Sequence, residues 1–175
     1  GMDGVDEIEG DHRELGFPGV FRLDLDGELA LLVDDFTGPN GIAFNEQETV
    51  LYVDDTARRH LRAFDVQPDG ALTNGRLFAD MESSVPKLRR GEPGGLRMDK
   101  GSPDGLKVDV EGHVYVTGAG GIWVFDADGE LLGILCMPEV AANLAWGDAD
   151  RMTLYITATS SIYRVRTKIP GVRRF

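Results

Sequence analysis

The sequence predicts an all-β fold of the β-propeller type, in which this chain supplies about three blades of four-stranded antiparallel sheet. Two observations support this fold class. Glycine is abundant, with 23 residues among 175, and Asp-Gly or Asn-Gly turns separate short runs of Val, Ile, Leu, Phe and Tyr, as in β-hairpins. The same strand types also recur in one order about every 40 residues, which is typical of propeller blades.

Four strand types, A to D, carry this repeat. We predict type A at 39–44, 103–108 and 141–146, type B at 50–53, 113–116 and 153–156, type C at 19–25, 61–66, 121–126 and 161–166, and type D at 28–34, 75–80 and 130–135. The chain therefore reads C–D, A–B–C–D, A–B–C–D, A–B–C. Propellers typically have about four to eight blades, so we expect either the C-terminal part of a longer propeller or two chains that together close a ring.

We predict one partial propeller domain over residues 1–175, interrupted by a long inserted loop at 82–101. The loop is rich in glycine, proline and charged residues, and it leads directly into Asp104. Long loops in compact domains often act as lids over functional sites. The alternative is a flexible insertion without a functional role.

Composition excludes several classes of function. The formal net charge of −12 opposes binding to the phosphate backbone of nucleic acids. No apolar run approaches the length of a membrane span, and no signal peptide is visible, so we expect no membrane partner and a cytoplasmic location. The single cysteine, Cys136, cannot form an internal disulfide; its apolar surroundings predict a buried thiol.

Two type A strands begin with a near-identical turn, which we call the PNG turn (residues 39–41) and the PDG turn (residues 103–105). Because type A is the innermost strand of a blade, Asn40 and Asp104 are expected on adjacent blades at one mouth of the central channel. The glycine that follows each lets the backbone turn tightly against a ligand. An amide oxygen and a carboxylate form a hard donor pair that suits Ca²⁺, Mg²⁺ or Mn²⁺ more readily than Zn²⁺.

A structural interpretation of these residues stays open, because Asx side chains also favour turns through local hydrogen bonds. Two ligands alone do not hold a metal ion, so further oxygen donors are required. Asn143, near the third type A strand, aligns with the glycine of the repeated turn. We expect it to be structural, with a place in the site as the alternative.

The segments at 38–80 and 102–135, with the paired PNG and PDG turns in this strand order, resemble the gluconolactonase family. This family is also called senescence-marker-protein or luciferin-regenerating-enzyme-like. The tail from "ANLAWG" to "KIPG" is similar to the end of the same family. The resemblance covers almost the whole chain, from about residue 17 to residue 171.

The resemblance implies a six-bladed propeller with one divalent cation at the channel mouth. Ca²⁺ is the leading candidate, with Zn²⁺, Mg²⁺ or Mn²⁺ as alternatives. It further implies that Asn40 and Asp104 are metal ligands and that Asp104 is the catalytic acid/base in lactone hydrolysis. The family takes another ligand, a Glu, from its first blade, and Glu7, Glu9 and Glu14 match nothing in that role.

We therefore predict a metal-dependent hydrolase of sugar lactones or similar small esters, gluconolactonase-like, or a truncated form of one. Its partners would be a small-molecule lactone or ester and, as a further candidate, a second copy of the chain that completes the propeller. Two alternatives are kept: a non-catalytic propeller that binds calcium or another ligand, and an inactive fragment.

Overall fold

A computed structural model describes residues 15–82 and 100–173 of the chain. These residues contain thirteen β-strands in four antiparallel sheets, which we number as blades in chain order. Blade I contains β1 (Val20–Leu23) and β2 (Leu29–Val33), and blade II contains β3 (Pro39–Phe44), β4 (Val50–Asp55), β5 (His60–Val66) and β6 (Leu72–Asp80). Blade III contains β7 (Leu106–Val108), β8 (Val114–Gly118), β9 (Gly121–Phe125) and β10 (Leu131–Cys136), and blade IV contains β11 (Ala141–Gly147), β12 (Thr153–Ala158) and β13 (Ile162–Arg166).

The sheets confirm the strand order predicted from the sequence. Blades of two, four, four and three strands follow one another, and consecutive strands pair as neighbours within each blade. Strand types A to D correspond to β3–β6 and again to β7–β10, while β1–β2 form a C–D pair and β11–β13 an A–B–C set. The innermost strands β3, β7 and β11 contact one another in turn, which places them around a common axis. The all-β, partial propeller architecture is therefore confirmed.

Three hydrophobic cores lie between the blades rather than inside any one of them. The core between blades II and III is the largest and contains Leu61, Leu106, Val116 and Trp123, each at most 1% exposed. A second core joins blades III and IV around Ile122 and Leu154, and a third joins blades I and II. Burial on both faces explains why the central strands are near-continuous apolar runs.

The faces of blades I and IV that point away from the other blades remain open. Leu23 and Leu29 on blade I are 70% and 62% exposed, and Ile162 on blade IV is 74% exposed. Cys136 is also exposed, so the prediction of a buried thiol was wrong. It ends β10, the outermost strand of blade III, where apolar neighbours in sequence do not ensure a packed neighbour in space.

The predicted loop at 82–101 lies almost entirely outside the described residues, so its role stays a prediction, as does the domain assignment over 1–175. Within the described ranges, no helix is long and apolar enough to cross a membrane.

Candidate active site

Gly41 and Gly105 allow neighbouring blades to meet closely at the channel mouth. A Cβ on Gly41 would overlap the backbone carbonyl oxygen of Asp104, which belongs to the next blade. A Cβ on Gly105 would lie 2.5 Å from Oδ1 and 2.6 Å from Cα of Asn143, one blade further on. Neither glycine has a positive φ. We expected glycine here because it allows a tight turn against a ligand, but the structure shows that close packing between blades is what requires it. The contacts place Asn40, Asp104 and Asn143 on three successive blades at one mouth.

The hydroxyl of Thr56 connects the PNG turn to the PDG turn. Thr56 donates its hydroxyl proton to the carbonyl oxygen of Pro103 at 2.7 Å, and Asn40 Nδ2 donates to Thr56 Oγ1 at 3.2 Å. Because the hydroxyl has a single proton, which Pro103 accepts, it can only accept from the asparagine, and the amide orientation is fixed. The exposed Asn40 side chain therefore keeps its carbonyl oxygen Oδ1 available as a ligand.

Asp55 connects the backbone that precedes the PNG turn to the loop between β4 and β5. Its side-chain oxygens accept hydrogen bonds from the N–H groups of Thr37 and Gly38 and from those of Ala57 and Arg58. Burial raises the pKa of the fully buried Asp55 carboxyl, but these N–H groups outweigh that effect, and its pKa lies below the usual value. Asp55 thus stays ionised and anchors the loop that carries Thr56.

Asp54, in contrast, is a fully buried carboxyl behind the PNG turn. Its Oδ2 accepts a hydrogen bond from the N–H of Gly41 at 3.1 Å, while its Oδ1 has no partner within the described residues. Burial raises its pKa to about 8, and the negative charge of Asp104 contributes in the same direction. The half-buried Asp104, our catalytic candidate, therefore lies near the Asp54 carboxyl, which keeps its proton at neutral pH.

The donor set at the mouth fits a hard divalent cation but is small. Asn40 supplies an amide oxygen and Asp104 a carboxylate, which are ligand types that Ca²⁺ and Mg²⁺ prefer. Over residues 15–82 and 100–173, no three His, Cys, Asp or Glu side chains come together as a metal cluster. Glu7, Glu9 and Glu14, left unassigned from sequence, lie outside the described residues. The assignment of Asn40 and Asp104 as ligands thus remains a prediction, and additional donors are required.

A cavity lies at the opposite end of the innermost strands. It has a volume of about 750 Å³ and is lined by Ile42, Phe44, Lys107 and Trp146 among others, but by none of the mouth residues. We place the candidate chemistry at the mouth and not in this cavity, because neither Asn40 nor Asp104 lines the cavity.

Sequence reasoning missed Thr56 and Asp54. Both follow the apolar residues of β4 in the segment "LYVDDT". Because β4 pairs with the strand that contains the PNG turn, this segment could have indicated polar side chains close to that turn. Nothing in the sequence shows that one of these side chains reaches across to the next blade.

Comparisons with known proteins agree with this architecture. The sequence model of the SMP-30/gluconolactonase/LRE-like region matches residues 2–160. A gluconolactonase from Zymomonas mobilis is 33% identical over 98% of this chain and 46% of its own length. The solved structure of a gluconolactonase from Xanthomonas campestris is 34% identical with a TM-score of 0.70, covering 90% of this chain and 46% of that one.

A third relative shares the fold alone. The structure of regucalcin from Agrobacterium tumefaciens, a calcium-binding protein, has a TM-score of 0.68 at 20% identity and covers 90% of this chain and 54% of that one. The chain spans about half the length of the curated relatives it matches, 46% and 49% for two of them. Because the family's sequence model matches most of its residues, the chain belongs to the SMP-30/gluconolactonase/LRE-like family.

Proposed function

We propose that this chain carries part or all of a lactonase active site, which hydrolyses sugar lactones or similar small esters at the channel mouth. The observation that carries the proposal is the hydrogen-bonded link from Pro103 through Thr56 to Asn40, which joins the PNG turn to the turn that carries Asp104 and leaves the Asn40 amide oxygen free to bind a ligand. The similarity to gluconolactonases supports the choice of substrate class.

Asp104 is the residue we assign to proton transfer. In lactone hydrolysis, a water molecule loses a proton as its oxygen attacks the carbonyl carbon, and the ring oxygen gains a proton as the carbon–oxygen bond breaks. A carboxylate in a partly buried position can take the first proton and return it to the leaving alkoxide. Asp104 is half-buried at the mouth, next to a turn whose backbone is fixed by contacts with both neighbouring blades.

Asn40 and Asp104 would hold a divalent cation at this position, with Ca²⁺ as the leading candidate and Zn²⁺, Mg²⁺ or Mn²⁺ as alternatives. A bound cation supplies Lewis-acid polarisation of the lactone carbonyl oxygen. The orientation of the Asn40 amide is the contribution that the chain's own residues make to that binding. Asp54, as a neutral acid, adds no negative charge that would compete for the ion.

The test uses the full 175-residue chain and D-glucono-1,5-lactone, with acid release followed in a pH-stat. We expect hydrolysis above the spontaneous rate, loss of that hydrolysis after treatment with a chelator, and recovery on addition of CaCl₂. Hydrolysis that continues after chelation would contradict the proposal that the reaction needs a divalent cation. Binding of Ca²⁺ without any hydrolysis would favour a non-catalytic cation-binding propeller.

We further propose that a second copy of the chain is a candidate source of the missing donors. The exposed apolar side chains of blade I, such as Leu29, and Ile162 on blade IV are the surfaces it would cover. A native mass measurement tests this directly: a dimer supports it, and a monomer at micromolar concentration contradicts it. Substitution of Ile162 by Asp is expected to shift a dimer toward monomer.

A further inference from the structure

Asn40 and Asn143 flank the PDG turn on either side, and their amide groups are held in opposite orientations. The Asn40 amide nitrogen donates to Thr56, so its oxygen Oδ1 is the atom left available to a ligand. The Asn143 oxygen Oδ1 accepts a hydrogen bond from the backbone N–H of Leu144 at 2.8 Å. A backbone N–H can only donate, so this contact identifies the oxygen of the Asn143 amide and leaves its nitrogen as the outward group.

An irregularity of β11 lies beside Asn143 and contacts the PDG turn. The pairing register of β11 with β12 shifts between Ala141 and Asn143, as at a β-bulge. The Ala142 carbonyl oxygen at this bulge accepts a hydrogen bond from Gly105 N at 2.9 Å. Bulges commonly re-aim side chains beside active sites.

A second register shift gives the same arrangement in blade II. The pairing of β3 with β4 shifts between Pro39 and Ile42, and this interval contains Asn40. The two register shifts therefore lie at corresponding places on the innermost strands on either side of blade III, and Asn143 lies one position further along its strand than Asn40. The structural role that we expected for Asn143 is present: its side-chain oxygen accepts from Leu144 N–H, and its backbone carbonyl oxygen accepts from Thr157 Oγ1 at 3.3 Å. Neither contact uses the side-chain nitrogen Nδ2.

We propose that Asn143 donates a hydrogen bond from Nδ2 to an oxygen atom of the substrate and thereby contributes to substrate binding. This inference rests on the proposed function, in that the ligand is a polyhydroxylated lactone or the aldonate formed from it. Nδ2 of Asn143 has no hydrogen-bond partner among the described residues, 15–82 and 100–173, and the Asn143 side chain is exposed. Sugar lactones and aldonates present acceptor oxygens along their length, and an amide donor is complementary to these.

The opposite orientations also divide the mouth chemically. An acceptor oxygen on blade II and the carboxylate on blade III are complementary to a cation, whereas the donor on blade IV repels one. Asn143 is therefore assigned to the substrate and not to the metal ion. The cation would lie on the Asn40 side of Asp104, and the sugar would extend toward blade IV.

Two substitutions separate the donor from the structural contact. Asn143→Asp keeps an oxygen that can accept from Leu144 N–H but removes the donor, whereas Asn143→Ala removes both. The probes are D-gluconate, titrated calorimetrically in the presence of CaCl₂, Ca²⁺ titrated alone, and the KM and kcat for D-glucono-1,5-lactone. We expect both variants to bind gluconate about 10-fold more weakly and to raise KM with a smaller change in kcat, while Ca²⁺ affinity is not reduced.

Three results would overturn the inference. The first is normal gluconate affinity in Asn143→Asp, with a loss confined to Asn143→Ala, because this would mean that only the contact with Leu144 matters. The second is a reduced Ca²⁺ affinity in Asn143→Ala, which would make the residue a metal ligand. The third is a wild-type chain that does not bind gluconate. If the wild-type chain binds gluconate in an Asn143-dependent way but hydrolyses no lactone, the proposed lactonase function fails and the binding role of Asn143 stands.

Discussion

The PNG turn of blade II and the PDG turn of blade III make the same close contact with the next blade, but the group behind each turn differs. In blade II the N–H of Gly41 donates to the Asp54 carboxyl, whereas in blade III the N–H of Gly105 is shared between the Ala142 carbonyl oxygen at 2.9 Å and the Thr117 hydroxyl at 3.1 Å. The Asp54 and Thr117 side chains are both fully buried. Two neutral acceptors therefore satisfy the turn in blade III, where blade II uses a carboxyl.

The mouth-facing groups differ in the same pair of turns. Asn40 is exposed and its amide is oriented by Thr56, whereas Asp104 is half-buried. The neutral amide is thus oriented by a neighbouring hydroxyl, and the carboxylate is partly buried. We therefore expect blade II to set the geometry of the site and blade III to transfer the proton, and the following variants test this division.

The largest effect is expected for the charged turn. Asp104→Asn keeps the shape of the side chain but removes its ability to accept a proton, so kcat for D-glucono-1,5-lactone should fall by about 10²- to 10⁴-fold. Asp128→Asn, in an exposed hairpin of the same blade, is the matched control and should retain wild-type kcat. Equal rates in wild type and Asp104→Asn would remove Asp104 from the mechanism.

The shared glycine contact is expected to give the next largest effect. Gly41→Ala should lower the free energy of unfolding by about 1–3 kcal/mol, because the added methyl group overlaps the Asp104 carbonyl and the Asp54 carboxyl. Gly133→Ala on β10 meets no atom within 4 Å and serves as the control. Chemical denaturation of both variants measures the difference. An unchanged midpoint for Gly41→Ala would show that the blades can separate at the mouth without cost.

The orienting hydroxyl of blade II should affect metal binding more than stability. Thr56→Val preserves the shape of the side chain but cannot accept from Asn40 Nδ2, so the amide is free to rotate and Ca²⁺ affinity should fall by about 10-fold. Thr56→Ser retains the hydroxyl and should restore most of the affinity. Calorimetric Ca²⁺ titration distinguishes them, and equal losses in both variants would indicate a packing effect of the methyl group instead.

The buried carboxyl of blade II predicts a pH dependence of stability. The pKa of Asp54 is about 8 in the folded chain, against an ordinary value of 3.8, chiefly because of burial. Between these two pH values the folded chain keeps a proton that the unfolded chain has released, so this residue makes stability fall as pH rises through that window. Asp54→Asn should remove this slope and raise stability at pH 8.

The gain is expected to be on the order of 1 kcal/mol for each unit of pKa shift that the substitution abolishes. Thermal melts of wild type and Asp54→Asn from pH 5 to pH 9 measure it. If the two curves stay parallel across this range, Asp54 does not hold its proton in the folded chain.

Repetition in the sequence was sufficient to predict the blades. The four strand types recur with their turns, and because each type occupies one place in a sheet, the order of strands follows directly from the order of the repeats. The same repeat placed Asn40 and Asp104 on adjacent blades, with Asn40 in β3 and Asp104 two residues before β7. It could not predict that Cys136 is exposed, because that depends on which strand lies at an edge.

The sequence by itself determined the family, the propeller architecture and the pair of polar turns, since these depend on local patterns repeated along the chain. The tertiary structure alone decided which atom of each turn faces the mouth. Thr56 reaches Pro103 across 47 positions of sequence, and Gly105 meets Asn143 across the gap between two blades. Such contacts depend on the distance between blades, which no local pattern encodes, and they orient the amide of Asn40 and place that of Asn143 beside Asp104.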